Sequence, residues 1–162
     1  MGFKGVPDRW EDYSNSGNVI KGTRFISFKV PLKSNLLSKV APGVDNNWGI
    51  PNLIQSIPDL GLVIDLTYTS RYYDYRELEA AGLKYSKIMT MGHSIPNHGV
   101  IQQFFKSVNS FLAEDPSKLI GCILFHYFLV FIICFLFISL QSHLKERKSI
   151  DHTRYLRTHY TS

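Results

Sequence analysis

Apolar residues follow two different spacings along this chain, and the spacing predicts which segments form strands and which form helices. Strands are predicted where β-prone residues alternate with polar ones or form short apolar runs, at residues 23–30, 62–67 and 84–91, with a further strand beginning at 118–121. Helices are predicted at residues 53–57 and 77–81, and an amphipathic helix of about four turns is predicted from Val100 onward. Strands that alternate with helices are typical of an α/β fold with a parallel sheet.

The segments between these elements are predicted to be irregular. Residues 1–22 are polar and rich in glycine, and we expect an arm that Trp10 and Tyr13 pin to the body. Residues 31–49 contain proline, glycine and asparagine and are predicted to form a loop. Parallel sheets bind their ligands at the carboxyl ends of strands. The chemistry is therefore expected in the segments after Thr67, Met91 and Gly121.

One long apolar run interrupts this pattern. Residues 119–140 contain no lysine, arginine, aspartate or glutamate. A helix of that length spans about 30 Å, which is the thickness of the hydrocarbon core of a bilayer. The run predicts a membrane-spanning helix, with a basic tail after it. The competing interpretation is a buried strand followed by a core helix.

Composition narrows the classes of function. A hydrophobic fraction of 44% and a charged fraction of 19% exclude a disordered chain, and the net charge of +5 permits a nucleic-acid surface without arguing for one. Both cysteines, Cys122 and Cys134, lie in the apolar run without Cys-x-x-Cys spacing, which excludes a zinc site and a disulfide framework. The first residues lack the apolar stretch of a signal peptide, so an intracellular, reducing environment is expected.

Several short motifs resemble those of a known family. The most distinctive is Asp-Leu-Thr-x-Thr-x-Arg-Tyr-Tyr at residues 65–73, and the others are found at residues 6–10, 22–25, 84–85, 92–96 and 118–121. Their order resembles that in the RNA 5′-triphosphatases, atypical dual-specificity phosphatases of the cysteine-phosphatase superfamily that include the phosphatase half of metazoan mRNA capping enzyme. The resemblance covers residues 5–121.

The resemblance implies an activity and a division of the chain. Such enzymes remove the γ and then the β phosphate from an RNA 5′ end, without metal or another cofactor, and a nuclear location is implied. A thiolate in a His-Cys-x5-Arg loop attacks phosphorus, and backbone N–H groups and the arginine bind the oxygens. The parts are an arm (1–22), a partial dual-specificity phosphatase domain (23–121), an apolar segment (122–140) and a basic polar tail (141–162).

The catalytic loop itself is missing from the sequence. Phe128 stands six residues after Cys122, Leu140 stands six after Cys134, and no glycine follows Gly121. A thiol in an uncharged apolar run is also a poor nucleophile, because burial disfavours the thiolate. The sequence therefore predicts an incomplete cysteine-phosphatase fold without catalytic residues. The alternative is a non-catalytic pseudophosphatase tethered to a membrane by residues 119–140.

Four residues remain as candidates for a substrate pocket. Asp65 lies at the carboxyl end of a predicted strand, and a role in the site and a role in fixing a turn are equally open. Arg71 either reaches a triphosphate or pairs with Asp74 or the sheet edge. His93 resembles a family position, yet a structural histidine is as consistent with one Gly-His pair. Asn97 stands where the family carries an aspartate general acid, and its amide cannot donate a proton as a carboxylic acid does.

The origin of the apolar segment is a separate question. Residues 122–140 are dominated by amino acids with pyrimidine-rich codons, and the run starts where the resemblance ends. This pattern is typical of translated intron sequence near a splice acceptor. We therefore expect a truncated isoform that arises from a retained intron, a shifted reading frame or a mis-predicted gene model, which transcript sequencing across codon 121 would test.

Overall fold

A computed structural model describes residues 5–40, 47–91 and 96–123 of this chain. Four parallel strands form one sheet in the order β1-β4-β2-β3, where β1 is Phe25–Phe28, β2 is Leu60–Asp65, β3 is Lys84–Lys87 and β4 is Leu119–Ile123. The helices are α1 (Ser34–Leu37), α2 (Ile50–Ser56), α3 (Arg76–Ala80) and α4 (His98–Glu114). The predicted α/β fold with a parallel sheet is confirmed.

Alternate side chains of the strands bury opposite faces of the sheet. On one face, Phe104 of α4 stacks on Phe25 with ring centroids 6.0 Å apart, and Phe111 packs next to Gly61. On the other face, the largest apolar cluster includes Phe28, Val63, Trp48, Leu53 and Leu78. The apolar stripe of α4 thus packs against the sheet, as its spacing predicts.

The arm is attached along the edge of β1. Trp10 is buried, and its indole Nε1 donates a hydrogen bond to the Val30 carbonyl at 2.7 Å. The Lys29 ammonium lies 3.8 Å from the centroid of the Trp10 ring and donates to the Tyr13 carbonyl at 3.1 Å. The Lys29 N–H in turn donates to the Asn15 carbonyl at 3.1 Å. The prediction that Trp10 pins the arm is therefore confirmed, whereas Tyr13 contributes its backbone carbonyl to the contacts described here and the role predicted for its side chain stays a prediction. The arm covers an edge strand that would otherwise expose its backbone.

Most element bounds differ from the predicted ones by one to three residues, and two differences are larger. The strand predicted at 84–91 ends at Lys87, where the neighbouring strand β2 also ends and the carbonyl of its last residue, Asp65, accepts the Ile88 N–H. The predicted loop at 31–49 contains α1, which forms because Leu36 is buried in the core and the Ser38 N–H donates to the Ser34 carbonyl.

The apolar run begins as a strand. Residues 119–123 form β4 in the middle of the sheet, so a membrane-spanning helix does not start at Leu119. Across the part of the chain that the structure describes, no helix is long and apolar enough to cross a membrane. Residues 124–140 lie outside that part.

Candidate functional site

The carboxyl edge of the sheet brings Asp65 and Lys87 together. Asp65 is the last residue of β2, and the strand register places it next to Lys87 of β3 on one side and Ile123 of β4 on the other. The Lys87 Nζ lies 2.9 Å from Asp65 Oδ1, and the two side chains are 17% and 0% exposed. The edge where sequence reasoning expects chemistry therefore contains a buried ion pair.

Four donors converge on the Asp65 carboxylate. Oδ1 accepts the Thr67 backbone N–H at 2.8 Å as well as the Lys87 ammonium. Oδ2 accepts the hydroxyl groups of Tyr73, at 2.7 Å, and Tyr85, at 3.1 Å. A buried carboxylate is stable only when such partners replace water. Through the Thr67 N–H this carboxylate fixes the start of the loop after β2, and the alternative role of Asp65 in a substrate site stays a prediction.

Lys87 fixes the loop that follows β2. Its ammonium donates to Thr67 Oγ1 at 2.7 Å and to the Thr69 carbonyl at 2.8 Å, in addition to Asp65. The Thr67 hydroxyl also donates to the Thr69 carbonyl, at 2.9 Å. An ammonium has three donors, and here all three have an acceptor. Lys87 is therefore a structural cation and is not available to bind a phosphate.

Burial sets the protonation of this cluster. Burial and the nearby Asp65 charge raise the pKa of Tyr73 well above its ordinary value, and the same two causes raise the pKa of Tyr85. Burial lowers the pKa of Lys87, and the Asp65 carboxylate opposes that change. Both phenols therefore stay protonated at neutral pH and keep donating to the carboxylate.

Arg71 pairs neither with Asp74 nor with the sheet edge, the two partners that the sequence suggests within the chain. Asp74 binds Arg76 instead, with Oδ2 to Nη2 at 2.9 Å. The Arg71 guanidinium lies 5.1 Å from the centroid of the Tyr72 ring, and Nη2 donates to the Tyr72 hydroxyl at 3.3 Å. Arg71 is exposed at the rim of the carboxyl edge, in the same loop that Lys87 fixes.

Asn97 begins the long helix α4. Its Oδ1 accepts the Val100 backbone N–H at 3.0 Å, which satisfies one of the free donors at a helix N-terminus. His98 is exposed on the first turn, with its ring 3.3 Å from the Gln102 amide nitrogen. His93, the fourth candidate, lies outside the residues that the structure describes.

Cys122 lies inside the sheet. Its neighbours across the strands are Ile64 of β2 and Ser27 of β1, and its side chain is 1% exposed. A side chain that is so deeply buried offers no access to a substrate phosphate. Within residues 5–40, 47–91 and 96–123, no three His, Cys, Asp or Glu side chains form a group that could hold a metal ion.

Sequence reasoning missed the partners of Asp65, namely Tyr73, Tyr85, Lys87 and Thr67. Tyr73 belongs to the distinctive motif, but its role depends on the backbone turning back after β2. Tyr85 and Lys87 come from β3, about twenty residues away, and only the register of a parallel pair joins them to Asp65. The sequence does contain one signal for this network. A tyrosine and a lysine stand two residues apart in one predicted strand, and the preceding strand carries an aspartate near its carboxyl end.

Curated proteins that resemble this chain are phosphatases. The chain is 43% identical over 122 residues to the RNA/RNP complex-1-interacting phosphatase of Homo sapiens, covering 72% of this chain and 36% of that protein. It is 40% identical to the Caenorhabditis elegans homolog, of which it covers 54%. It is 37% identical over 115 residues to a tyrosine-protein phosphatase of Autographa californica nuclear polyhedrosis virus, covering 71% of this chain and 68% of the viral protein. The chain thus spans about a third of the human relative and about half of the nematode one.

Other comparisons add less. No protein-family model matches the chain. A crystal structure of a Tk-PTP variant aligns with a TM-score of 0.46 at 14% identity, covering 67% of this chain and 61% of that one. The assignment rests on the sequence relatives: this chain belongs to the phosphatase family that contains the RNA/RNP complex-1-interacting phosphatases and the viral tyrosine-protein phosphatases.

Proposed function

We propose that this chain is a non-catalytic member of its phosphatase family. Its proposed ligands are RNA 5′-tri- and diphosphates, which are the substrates of the RNA 5′-triphosphatases that its motifs resemble. The observation that carries this proposal is the sequence after β4. No Cys-x5-Arg follows that strand, and Cys122 is buried within it. Without a nucleophile and its arginine, the hydrolytic step has no starting point.

The physical argument concerns the charge that phosphoryl transfer must stabilise. A thiolate nucleophile needs a positive environment that lowers its pKa, and the phosphate oxygens need N–H donors from a tight turn. Residues 122–162 contain no glycine, the residue that such turns most often require. Asp65 and Lys87 do not substitute, because each is fully occupied by the other and by neighbouring donors or acceptors.

A phosphatase assay on the full chain tests the proposal. The substrates are an RNA with a radiolabelled 5′-triphosphate and p-nitrophenyl phosphate, and the human relative serves as the positive control. We expect no phosphate release above the blank. The matched variants are Cys122→Ser and Cys134→Ser, which change one sulfur atom each. Turnover that either substitution abolishes would identify a working cysteine and overturn the proposal.

A membrane-tethered pseudophosphatase is the second candidate, supported by the charge-free run. Once β4 is subtracted, residues 124–140 remain, and their length lies at the lower limit of about 17–25 residues for a spanning helix. Cell fractionation separates the candidates. A tethered protein needs detergent for release from membranes, whereas a nuclear protein, as the resemblance implies, is released from nuclei by salt. Release by salt alone would exclude the tether.

A further inference from the structure

The loop after β2 presents a tyrosine that the fold does not use. Tyr68 is 63% exposed, and it makes no hydrogen bond, ion pair or ring contact with the residues that the structure describes. Its neighbours behave differently, because Thr67 and Thr69 on either side are both bound by the Lys87 ammonium. A fixed piece of backbone therefore holds an aromatic ring in solvent.

This arrangement lowers the cost of binding a flat ligand. Ordering a loop or a side chain on binding consumes part of the affinity, and a loop that is already fixed avoids that cost. Here the loop is fixed by Asp65 through the Thr67 N–H, by Lys87, and by the Thr69 hydroxyl, which accepts the Arg71 N–H at 3.3 Å. A ring presented in this way is ready for stacking.

The neighbours of Tyr68 indicate the chemistry of the ligand. Arg71 lies three residues further in the same loop, and no carboxylate in the described ranges comes within ion-pair distance of its guanidinium. Met89 is 51% exposed and follows Ile88, whose N–H donates to the Asp65 carbonyl at 3.0 Å, so both segments leave the sheet side by side. The rim therefore combines an aromatic ring, an apolar side chain and an available cation.

We propose that Tyr68 is a stacking platform for a base of single-stranded RNA, with Arg71 binding the adjacent phosphates. Bases stack on aromatic side chains in single-stranded RNA recognition, and arginine supplies the phosphate contact. A ligand with flat apolar faces joined to anions matches this rim, because each nucleotide of RNA carries a base and a phosphate side by side. A protein partner matches the rim less well, because it would need an aromatic or apolar side chain and a carboxylate at the same spacing. This inference rests on the proposed function for its ligand class, but it concerns binding and not hydrolysis.

The experiment measures the affinity of the full chain for short single-stranded RNAs that carry a fluorophore at the 3′ end. Three RNAs are compared, with a 5′-triphosphate, a 5′-monophosphate or a 5′-hydroxyl. Stacking on an aromatic side chain predicts that Tyr68→Ala weakens binding of all three by at least about fivefold, whereas Tyr68→Phe, which keeps the ring, stays within about twofold of the parent. Arg71→Ala should reduce the preference for the triphosphate. Lys21→Ala, an exposed cation before β1, should change nothing.

The outcomes separate this inference from the proposed function. Unchanged binding in Tyr68→Ala, or equal losses in Tyr68→Phe and Tyr68→Ala, would overturn the platform and leave the proposed function standing. No RNA binding by the parent chain would overturn both the platform and the proposed ligands. Phosphate release by the parent chain would overturn the proposed function and leave the platform standing if the Tyr68 pattern holds. Thermal unfolding of each variant checks the fold. Because Tyr68 is 63% exposed and makes no hydrogen bond or ring contact with the described residues, the midpoint of Tyr68→Ala should stay close to that of the parent.

Discussion

Asp65→Asn is the sharpest test of the network at the carboxyl edge. The Asp65 side chain is fully buried, and each of its oxygens already faces two donors: the Thr67 N–H and Lys87 at Oδ1, and two phenols at Oδ2. The asparagine NH₂ must replace one of these oxygens. At Oδ1 it would meet two groups that only donate, and at Oδ2 both phenols would have to turn from donors into acceptors. The substitution also leaves the Lys87 ammonium, 17% exposed, without its carboxylate.

The expected cost is large. Breaking a buried ion pair by removing one partner costs about 3–5 kcal/mol, against a total stability of about 5–15 kcal/mol for a domain. The matched control is Asp74→Asn. Asp74 lies in the loop after β2, and this substitution removes an exposed ion pair in which the Asp74 side chain is 43% exposed and the Arg76 side chain is 75% exposed. Such exposed pairs contribute little to stability, because water and salt screen the charges.

Urea unfolding followed by tryptophan fluorescence measures these free energies, since Trp10 and Trp48 are both buried and report on the core. The double variant Asp65→Asn with Lys87→Met removes both charges, so its cost should fall below the sum of the two single costs by about 1 kcal/mol or more. The reasoning is refuted if Asp65→Asn costs no more than Asp74→Asn, or if the two single costs add within about 0.5 kcal/mol.

Two further predictions concern the same sheet. Because the pKa values of Tyr73 and Tyr85 are raised in the folded state, their stabilisation is complete below about pH 10 and is lost as the pH rises further. The loss is about 1.4 kcal/mol per pH unit for the buried Tyr73, and solvent screening makes the contribution of the half-buried Tyr85 smaller. Lys87, whose pKa is lowered, acts in the opposite direction only below about pH 10.5. Urea midpoints should therefore fall steeply above pH 10.5, and Tyr73→Phe should reduce that slope by about one proton; an unchanged slope counts against the assignment. Gly121→Ala should cost about 1–3 kcal/mol or more, because a Cβ there would lie 2.8 Å from Leu60 Cδ1 and closer still to the Phe28 ring, and calorimetry that finds a cost under about 0.5 kcal/mol would contradict this packing.

The sequence predicted elements whose signal is local and missed those whose signal is not. The helix α4 follows from apolar residues at helical spacing, and β2 follows from a continuous apolar run. The strand predicted to reach Met91 stops at Lys87, because strand length depends on a partner that the local pattern does not contain. Asn97 illustrates a local signal that was available, since an asparagine before an amphipathic helix is a preferred N-cap and that is where the structure places it.

The network around Asp65 explains how a loop can remain ordered in a chain without the catalytic motif. Its side-chain partners all lie between residues 65 and 87, and none of the contacts described above uses a side chain after Ile123. β4 contributes only backbone, through the Ile123 carbonyl, which accepts the Leu66 N–H at 3.1 Å. The rim that carries Tyr68 and Arg71 is thus stabilised independently of any phosphate-binding loop. Under the proposed function, this edge therefore keeps the geometry on which binding would depend, even though hydrolysis is absent.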